Sequence, residues 1–332
     1  MPHVTASVLF VIALAYLFDF LNGMHDSANS IATVVSTRVL APKHAVIWAA
    51  FFNFAAFAVF GVHVANTIGK GLVDPKVVDT AVVAGALIGA SLWSWITIVL
   101  GIPVSSSHSL IGGMIGAGIS KAGTSCLQYE KLKTTVAFIF LSPMIGMFFG
   151  FTLMVAVFWI FRRKSPSAVD RTFRIGQLFS AGLYSLSHGG NDAQKTMGII
   201  AVLLFSNGLL GDKFYVPFWV VISCHFVIAM GTLMGGWKIV HTMGSKVTKL
   251  KPVSGFCAET GAGISIAICS YFGVPVSTTH TITGAIVGAG STQRLSAVRW
   301  GVAGRIVWAW FLTIPFAALS AALVYQVVKR FL

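Results

Sequence analysis

Residues 101–118 read GIPVSSSHSLIGGMIGAG, and residues 273–290 read GVPVSTTHTITGAIVGAG. The two stretches align without a gap and are identical at about half of their positions. A second matched pair, NGMHD ending at Asp26 and HGGND ending at Asp192, precedes the first pair in each half of the chain. Two motifs that recur in the same order indicate an internal duplication, which many membrane proteins contain.

The composition is typical of an integral membrane protein. Of the 332 residues, 56% are hydrophobic and 10% are charged, and the mean hydropathy is +0.84. A soluble domain has about 25% charged residues. Apolar stretches long enough to cross a bilayer are residues 44–66, 79–100, 134–161, 215–237 and 299–328. We predict an all-α integral membrane protein with about 10 to 12 transmembrane segments.

The basic residues indicate how the chain is divided and oriented. The net charge is +14, but the basic residues lie in short connections between apolar stretches, which argues against nucleic-acid binding. The most basic connection, residues 162–174, is predicted to be a cytoplasmic linker between a first repeat, residues 1–161, and a second repeat, residues 175–332. If each repeat crosses an odd number of times, effectively five, the two repeats have inverted topology and both termini lie outside.

The amino-terminal apolar stretch has no basic flank and no cleavage pattern, so we predict a retained first span. The cysteines lack the spacing of a metal site, and we predict no disulfide, no metal site and no cofactor.

Each Pro-Val-Ser motif is suited to bind an anion. Pro103 and Pro275 favour the first turn of a helix, where free N–H groups and the positive end of the helix dipole attract negative charge. Three consecutive hydroxyls exceed what capping requires, although capping alone is the alternative interpretation. The predicted anion-binding residues are Ser105, Ser106, Ser107 and His108, and in the second repeat Ser277, Thr278, Thr279 and His280. The glycines that follow are interpreted as helix-packing positions.

Asp26 and Asp192 lie in apolar sequence, where a carboxylate must be paired, protonated or bound to a cation. Either a proton or Na⁺ at these acids would couple transport to an ion gradient. Further predicted coupling-ion residues are Asn22, His25, Asn191 and Glu259, and further predicted substrate residues are Asn29, Gln194 and Lys195; Asp19 and His188 are secondary candidates. Two alternatives stay open: Lys195 pairs with Asp192 or attracts the anion, and the motif histidines contact substrate, shuttle protons or are neutral core residues.

Two segments are too long for one straight span. Residues 7–37 and 175–212 are predicted to break near Asn22 and Gly23 and at residues 188–190, giving broken helices or re-entrant hairpins. Unwound backbone at membrane depth is tolerated only where it is buried in protein or lines a polar cavity. These segments are therefore predicted to form the binding site.

GMHDSANS at 23–30 and GGNDAQKTMG at 189–198, together with the two Pro-Val-Ser motifs, resemble the signatures of the inorganic phosphate transporter (PiT) family. The resemblance implies inverted repeats around a central site, phosphate held by the matching hydroxyls and broken-helix backbone, and a homodimer. His25 departs from the family's GAND pattern, and Gln194 with Lys195 departs from the second Ala-Asn. These variants resemble the bacterial low-affinity branch, which implies the inner membrane and proton coupling, whereas Glu259 favours Na⁺.

The predicted function is symport of inorganic phosphate, free or as a metal phosphate complex, with H⁺ or Na⁺ across the lipid bilayer. A sulfate or related oxyanion permease is the nearest alternative. Hydrogenphosphate has an O–H group that can donate to a buried acid, whereas sulfate would leave that acceptor unpaired, so the two acids favour phosphate.

An intramembrane hydrolase is a remote alternative, because Ser beside His can form a nucleophile and base. An active site needs one nucleophile, but here the hydroxyls, histidines and acids all occur in pairs. The sequence therefore predicts a transporter and not an enzyme.

Overall fold

The computed structural model describes residues 5–69, 71, 73, 74 and 76–332, so the first four residues of the predicted external N-terminus lie outside the described part. Its long elements are helices, as the sequence predicts. In the first half they are α1 (Ala6–Ser36), α2 (Pro42–Ala55), α3 (His63–Gly69), α4 (Thr80–Leu100), α5 (Ser106–Ala122) and α6 (Tyr129–Phe161). In the second half they are α7 (Pro166–Ser206), α8 (Phe218–Met234), α9 (Trp237–His241), α10 (Pro252–Tyr271), α11 (Thr278–Ser291) and α12 (Trp300–Val328).

The same order of long and short helices occurs in both halves, and the halves interlock. Helix α1 packs against α8 while its counterpart α7 packs against α2, and α5 packs against α12 while α11 packs against α6. Of the predicted linker, residues 166–174 form the first turns of α7, which Ser165 caps by accepting a hydrogen bond from the N–H of Ala168. The division into two repeats and their inversion stay predictions.

Five helices in the described part are long and apolar enough to cross a membrane, and seven if each bent helix pair is one span. This is fewer than the predicted 10 to 12 segments. Helices α5 and α11 have only 17 and 14 residues, and the central part of α7 contains many buried polar residues. Helices α6 and α12 expose apolar side chains along most of their length, as expected for contact with lipid or a second subunit.

The predicted breaks in α1 and α7 are wrong. Both helices are continuous through Asn22 and Gly23 and through residues 188–190. The glycines allow close packing instead: a Cβ on Gly23 would lie 2.1 Å from the carbonyl oxygen of Ile228 on α8, and a Cβ on Gly189 would lie 2.5 Å from a backbone oxygen of α2. Bends are present at corresponding places elsewhere, 80° between α2 and α3 and 66° between α8 and α9.

Both Pro-Val-Ser motifs form a turn followed by a helix start inside the protein. Gly101 and Gly273 both have a φ of 71°, a conformation that favours glycine, and they end α4 and α10. Ser105 and Ser277 then cap α5 and α11, each accepting a hydrogen bond from the N–H of the histidine three residues on. The two motifs therefore present matching helix N-termini to the protein interior.

Glycines of the repeated motifs let helices meet at backbone distance. A Cβ on Gly288 would lie 2.1 Å from the carbonyl oxygen of Met147, and one on Gly116 would lie 2.0 Å from that of Ala318. Gly284 and Gly288 of α11 thus face α6, and Gly112 and Gly116 of α5 face α12. The packing interpretation of these glycines is confirmed.

We expect Gly288→Ala to destabilise the protein, because neither helix backbone can move away by ångströms without disturbing its other contacts. An overpacked core position is destabilising by about 1–3 kcal/mol, which outweighs the better helix propensity of alanine. Thermal unfolding of the detergent-solubilised protein would show a lower Tm. Gly304→Ala is the matched control, since a Cβ there has no atom of the described structure within 4 Å, and its Tm should equal or exceed that of wild type.

Candidate functional site

The two repeated acids meet in the protein interior. Asp26 on α1 and Asp192 on α7 are both fully buried. Together with His188 they form a cluster in which one ligand atom from each residue lies within 4.8 Å of the others. Two carboxylates this close repel each other unless cations or protons compensate their charge. The cluster therefore needs positive charge beside it, from a bound cation, a proton or a basic side chain.

Asp26 accepts hydrogen bonds from both repeats. The hydroxyl of Ser106, at the start of α5, donates to Oδ2 over 2.9 Å, and the hydroxyl of Thr279, at the start of α11, donates to Oδ1 over 3.2 Å. The Nδ1 atom of His25 lies 2.8 Å from Oδ1. Asn29 holds Thr279 in place by donating from Nδ2 to its hydroxyl oxygen over 2.9 Å.

Asp192 has a related environment with one additional charge. The hydroxyl of Thr278 donates to Oδ2 over 3.2 Å, and the ammonium of Lys195 donates to Oδ1 over 2.5 Å. The same ammonium donates to the hydroxyl oxygen of Ser107 and, over 2.9 Å, to the carbonyl oxygen of Val276. Lys195 is thereby buried between α7 and the starts of α5 and α11.

The contacts of the two acids follow the internal repeat. Each acid accepts a hydrogen bond from a hydroxyl of its own repeat, Asp26 from Ser106 and Asp192 from Thr278. The residue three positions after each acid donates to a hydroxyl of the other repeat, Asn29 to Thr279 and Lys195 to Ser107. The matched residues are Ser106 with Thr278, Thr279 with Ser107, and Asn29 with Lys195. Both helix starts thus contribute to both halves of the site, which explains why the motifs are duplicated together.

His188 joins the two acids. Its Nε2 atom lies 3.3 Å from Oδ2 of Asp192 and 3.9 Å from Oδ2 of Asp26. Its Nδ1 atom lies 3.0 Å from Oδ1 of Asn53, whose amide nitrogen donates to the hydroxyl of Thr232. Asn53 and Thr232 therefore orient the imidazole between the carboxylates.

The motif histidines face each other. The rings of His108 and His280 meet edge to face with centroids 4.7 Å apart, and His280 stacks on Trp310 at 3.7 Å. Within the described residues, Nδ1 of His108 and both ring nitrogens of His280 are buried without a hydrogen-bond partner. Buried polar atoms of this kind require an explanation such as a ligand or water that binds there.

Four more predicted residues make no hydrogen bond to either acid. Gln194 accepts hydrogen bonds from the first N–H groups of α3, and the amide nitrogen of Asn191 donates to Ser270. The side-chain oxygen of Asn22 has no partner in the described structure. Glu259 lies outside the cluster of Asp26, His188 and Asp192.

Glu259 forms a polar cluster of its own. Its carboxylate accepts from the hydroxyl of Thr33 over 2.5 Å, from the amide of Gln177 over 2.9 Å, and from the hydroxyl of Ser180. Three donors from α1 and α7 surround an acid of α10, so neutral groups satisfy the oxygens of this buried carboxyl group.

Several polar residues of the site were missed from the sequence. Asn53 is the single amide in the apolar run IWAAFFNFAAF, and that isolation was an available signal. Thr33, Gln177 and Ser180 have no such signal, because only the tertiary contact with Glu259 distinguishes them. Thr196 likewise donates to the buried secondary candidate Asp19, over 2.9 Å.

The fold and the site define a multi-pass membrane protein whose polar residues converge on two buried acids and two helix N-termini. A profile of the phosphate transporter family matches residues 22–321. The chain belongs to this family, which confirms the resemblance drawn from the motifs.

Two relatives and one solved structure extend the match over the whole chain. A probable low-affinity inorganic phosphate transporter of Rhizobium meliloti is 61% identical over 95% of this chain and 94% of its own length. One with the same description from Bacillus subtilis is 41% identical over 97% of each chain. A solved structure described as the sodium-dependent phosphate transporter matches with a TM-score of 0.91 at 27% identity, over 99% of this chain and all of its own.

Proposed function

We propose that the protein is a secondary active symporter that carries inorganic phosphate across the membrane together with a cation, H⁺ or Na⁺. The observation that carries the proposal is the meeting of two buried acids with two hydroxyl-bearing helix starts in one site. Helix starts suit an anion and buried acids suit a cation, so each ligand improves the electrostatic environment of the other. Mutual stabilisation of this kind is what coupling requires.

The hydroxyls and helix N-termini support an oxyanion as substrate. Ser106, Ser107, Thr278 and Thr279 bring four hydroxyls to the site from two directions, and these groups can replace the hydration shell of a tetrahedral anion. A protonated phosphate can also donate its O–H to a carboxylate, which sulfate cannot do. The family and the names of the relatives support phosphate as well.

The contacts of the hydroxyls support transport and not hydrolysis. Ser106 and Thr278 donate to carboxylates at matching positions of the two repeats, so neither hydroxyl is distinguished as the single nucleophile that hydrolysis requires. The histidines of the motifs meet each other and Trp310. These contacts favour two matched half-sites over one reactive centre.

The proposal is tested by uptake of radiolabelled phosphate into proteoliposomes that contain the purified full chain. We expect phosphate to accumulate above its external concentration when an inward H⁺ or Na⁺ gradient is imposed, and excess unlabelled phosphate to compete much better than excess sulfate. Measurements with and without divalent metal separate free phosphate from a metal phosphate complex. Equal competition by sulfate would contradict the substrate assignment, and uptake that only equilibrates phosphate under both gradients would contradict symport.

A further inference from the structure

Lys195 occupies a position that its oxygen contacts define as a cation site. The ammonium has three N–H donors, and its three acceptors are a carboxylate oxygen of Asp192, the hydroxyl of Ser107 and the carbonyl of Val276. We call these three groups the Asp192 oxygen set. Carboxylate, hydroxyl and carbonyl oxygens are also the ligands that hard metal cations take in proteins.

The internal repeat allows Lys195 to be compared with its counterpart in the first repeat, Asn29. Asn29 follows Asp26 by three residues, just as Lys195 follows Asp192. Asn29 donates to the hydroxyl of Thr279 and Lys195 donates to the matching hydroxyl of Ser107, each in the opposite repeat. The two side chains therefore occupy equivalent places, but Asn29 is neutral and Lys195 carries a charge.

The two acids are accordingly compensated in different ways. In the described structure, the ion-pair partners of Asp26 are the imidazoles of His25 and His188. Asp192 shares His188 but also pairs with an ammonium, which is a compact point charge. The charge of Asp192 is thus balanced by a group that cannot leave the protein.

We propose that the Lys195 ammonium is a tethered cation that fills the Asp192 half of the site, so that the mobile coupling cation binds only in the Asp26 half. This inference rests on the proposed function and specifies its coupling: the carrier exchanges one cation at Asp26 and retains its own at Asp192 throughout the cycle. A mobile ion at Asp192 would have to displace the Lys195 ammonium, which already donates a hydrogen bond to each oxygen of the Asp192 oxygen set.

The surroundings of Lys195 make the idea testable by substitution. A cavity of about 30 Å³ lies beside Lys195 and Ser107, and its other lining side chains are mostly apolar groups of α3, α5 and α7. A space of this size can hold a water molecule. Lys195→Asn would remove the ammonium and add an amide oxygen, making this position resemble Asn29, and a small cation could enter the Asp192 oxygen set.

The first experiment measures Tm of the purified full chain in detergent while NaCl replaces choline chloride at constant ionic strength. A ligand that binds only the folded state raises Tm, and the stabilisation grows as RT ln(1 + [L]/Kd). We expect Lys195→Asn to show a larger sodium-dependent rise in Tm than wild type, and the double variant Asp192→Asn with Lys195→Asn to lose the added response. The matched control is Lys121→Asn, because the ammonium of Lys121 also contacts a carboxylate, that of Asp79, and a carbonyl, that of Val77, but lies near the surface. The sodium-dependent rise in Tm of this variant should equal that of wild type.

The second experiment measures phosphate uptake against cation concentration in proteoliposomes. Wild type should depend on its coupling cation without cooperativity, and Lys195→Asn should acquire a cooperative dependence that includes sodium. Equal sodium responses of wild type and Lys195→Asn in both assays would overturn the proposal. A cooperative dependence of wild-type uptake on the coupling cation would also overturn the proposal. This wild-type measurement decides the question if Lys195→Asn does not fold. If wild type carries no phosphate, the proposed function fails while the Tm experiment still decides the role of Lys195.

Discussion

Asp26→Asn should abolish concentrative phosphate uptake. The carboxylate of Asp26 accepts three hydrogen bonds, from His25, Ser106 and Thr279, and faces His188. An asparagine amide can neither balance a cation nor accept a proton, and its NH₂ group would meet at least one of the existing donors. Breaking a buried charge pair on one side costs about 3–5 kcal/mol, which corresponds to roughly a 100-fold or greater loss of cation affinity.

The measurement is initial uptake into proteoliposomes under the cation gradient that drives wild type. Asp170→Asn is the matched control, because Asp170 lies on the exposed start of the same helix as Asp192 and pairs with Arg174 on the surface. Loss of that exposed pair changes stability by less than about 1 kcal/mol, so uptake should equal wild type. Accumulation by Asp26→Asn at the wild-type rate, in protein that elutes as a single folded species, would show that Asp26 has no part in coupling.

The duplicated motifs were strong enough to predict which acids and hydroxyls the fold brings together. Pro-Val-Ser with its hydroxyls predicts a helix start, and the helices do start here, with Ser105 and Ser277 as caps. The predicted place of the prolines is wrong, because Pro103 and Pro275 precede the caps by two residues and lie outside the first turn. A carboxylate in apolar sequence predicts a functional acid, and Asp26 and Asp192 lie together within the protein. In each case the prediction depends only on a few residues that are neighbours in the chain, so it can be made from a single sequence.

The positions of the helix breaks could not be predicted in this way. Glycine in a long apolar helix is compatible both with a break and with close packing, and only the partner helix distinguishes them. At Gly23 and Gly189 the partners are the backbones of α8 and α2, which are distant in sequence. Glu259 presents the same difficulty, because its donors Thr33 and Gln177 come from two other helices.

The structure also separates hydroxyls that are indistinguishable in sequence. Ser277 and Thr279 stand two residues apart in one motif, yet Ser277 accepts a hydrogen bond from its own helix, whereas Thr279 links Asn29 to the carboxylate of Asp26. The capping interpretation thus describes the first hydroxyl of each run, and the site interpretation describes the next two. We therefore expect substitution of Thr279 to affect transport much more than substitution of Ser277.

Thr279→Val should reduce phosphate uptake by about 10- to 100-fold, because the hydrogen bond to a buried charged group contributes about 1.5–3 kcal/mol and valine has nearly the same shape as threonine. Ser277→Ala is the matched control, since loss of a cap lowers stability by about 1 kcal/mol without removing a group that faces the acids. Uptake kinetics and Tm, measured on both variants, separate the two roles: Ser277→Ala should lower Tm while KM for phosphate stays near that of wild type, and Thr279→Val should lose transport by far more than its own change in Tm accounts for. If Ser277→Ala impaired uptake as severely as Thr279→Val, the hydroxyls would act together through the stability of the helix start, and Thr279 would have no separate role beside Asp26.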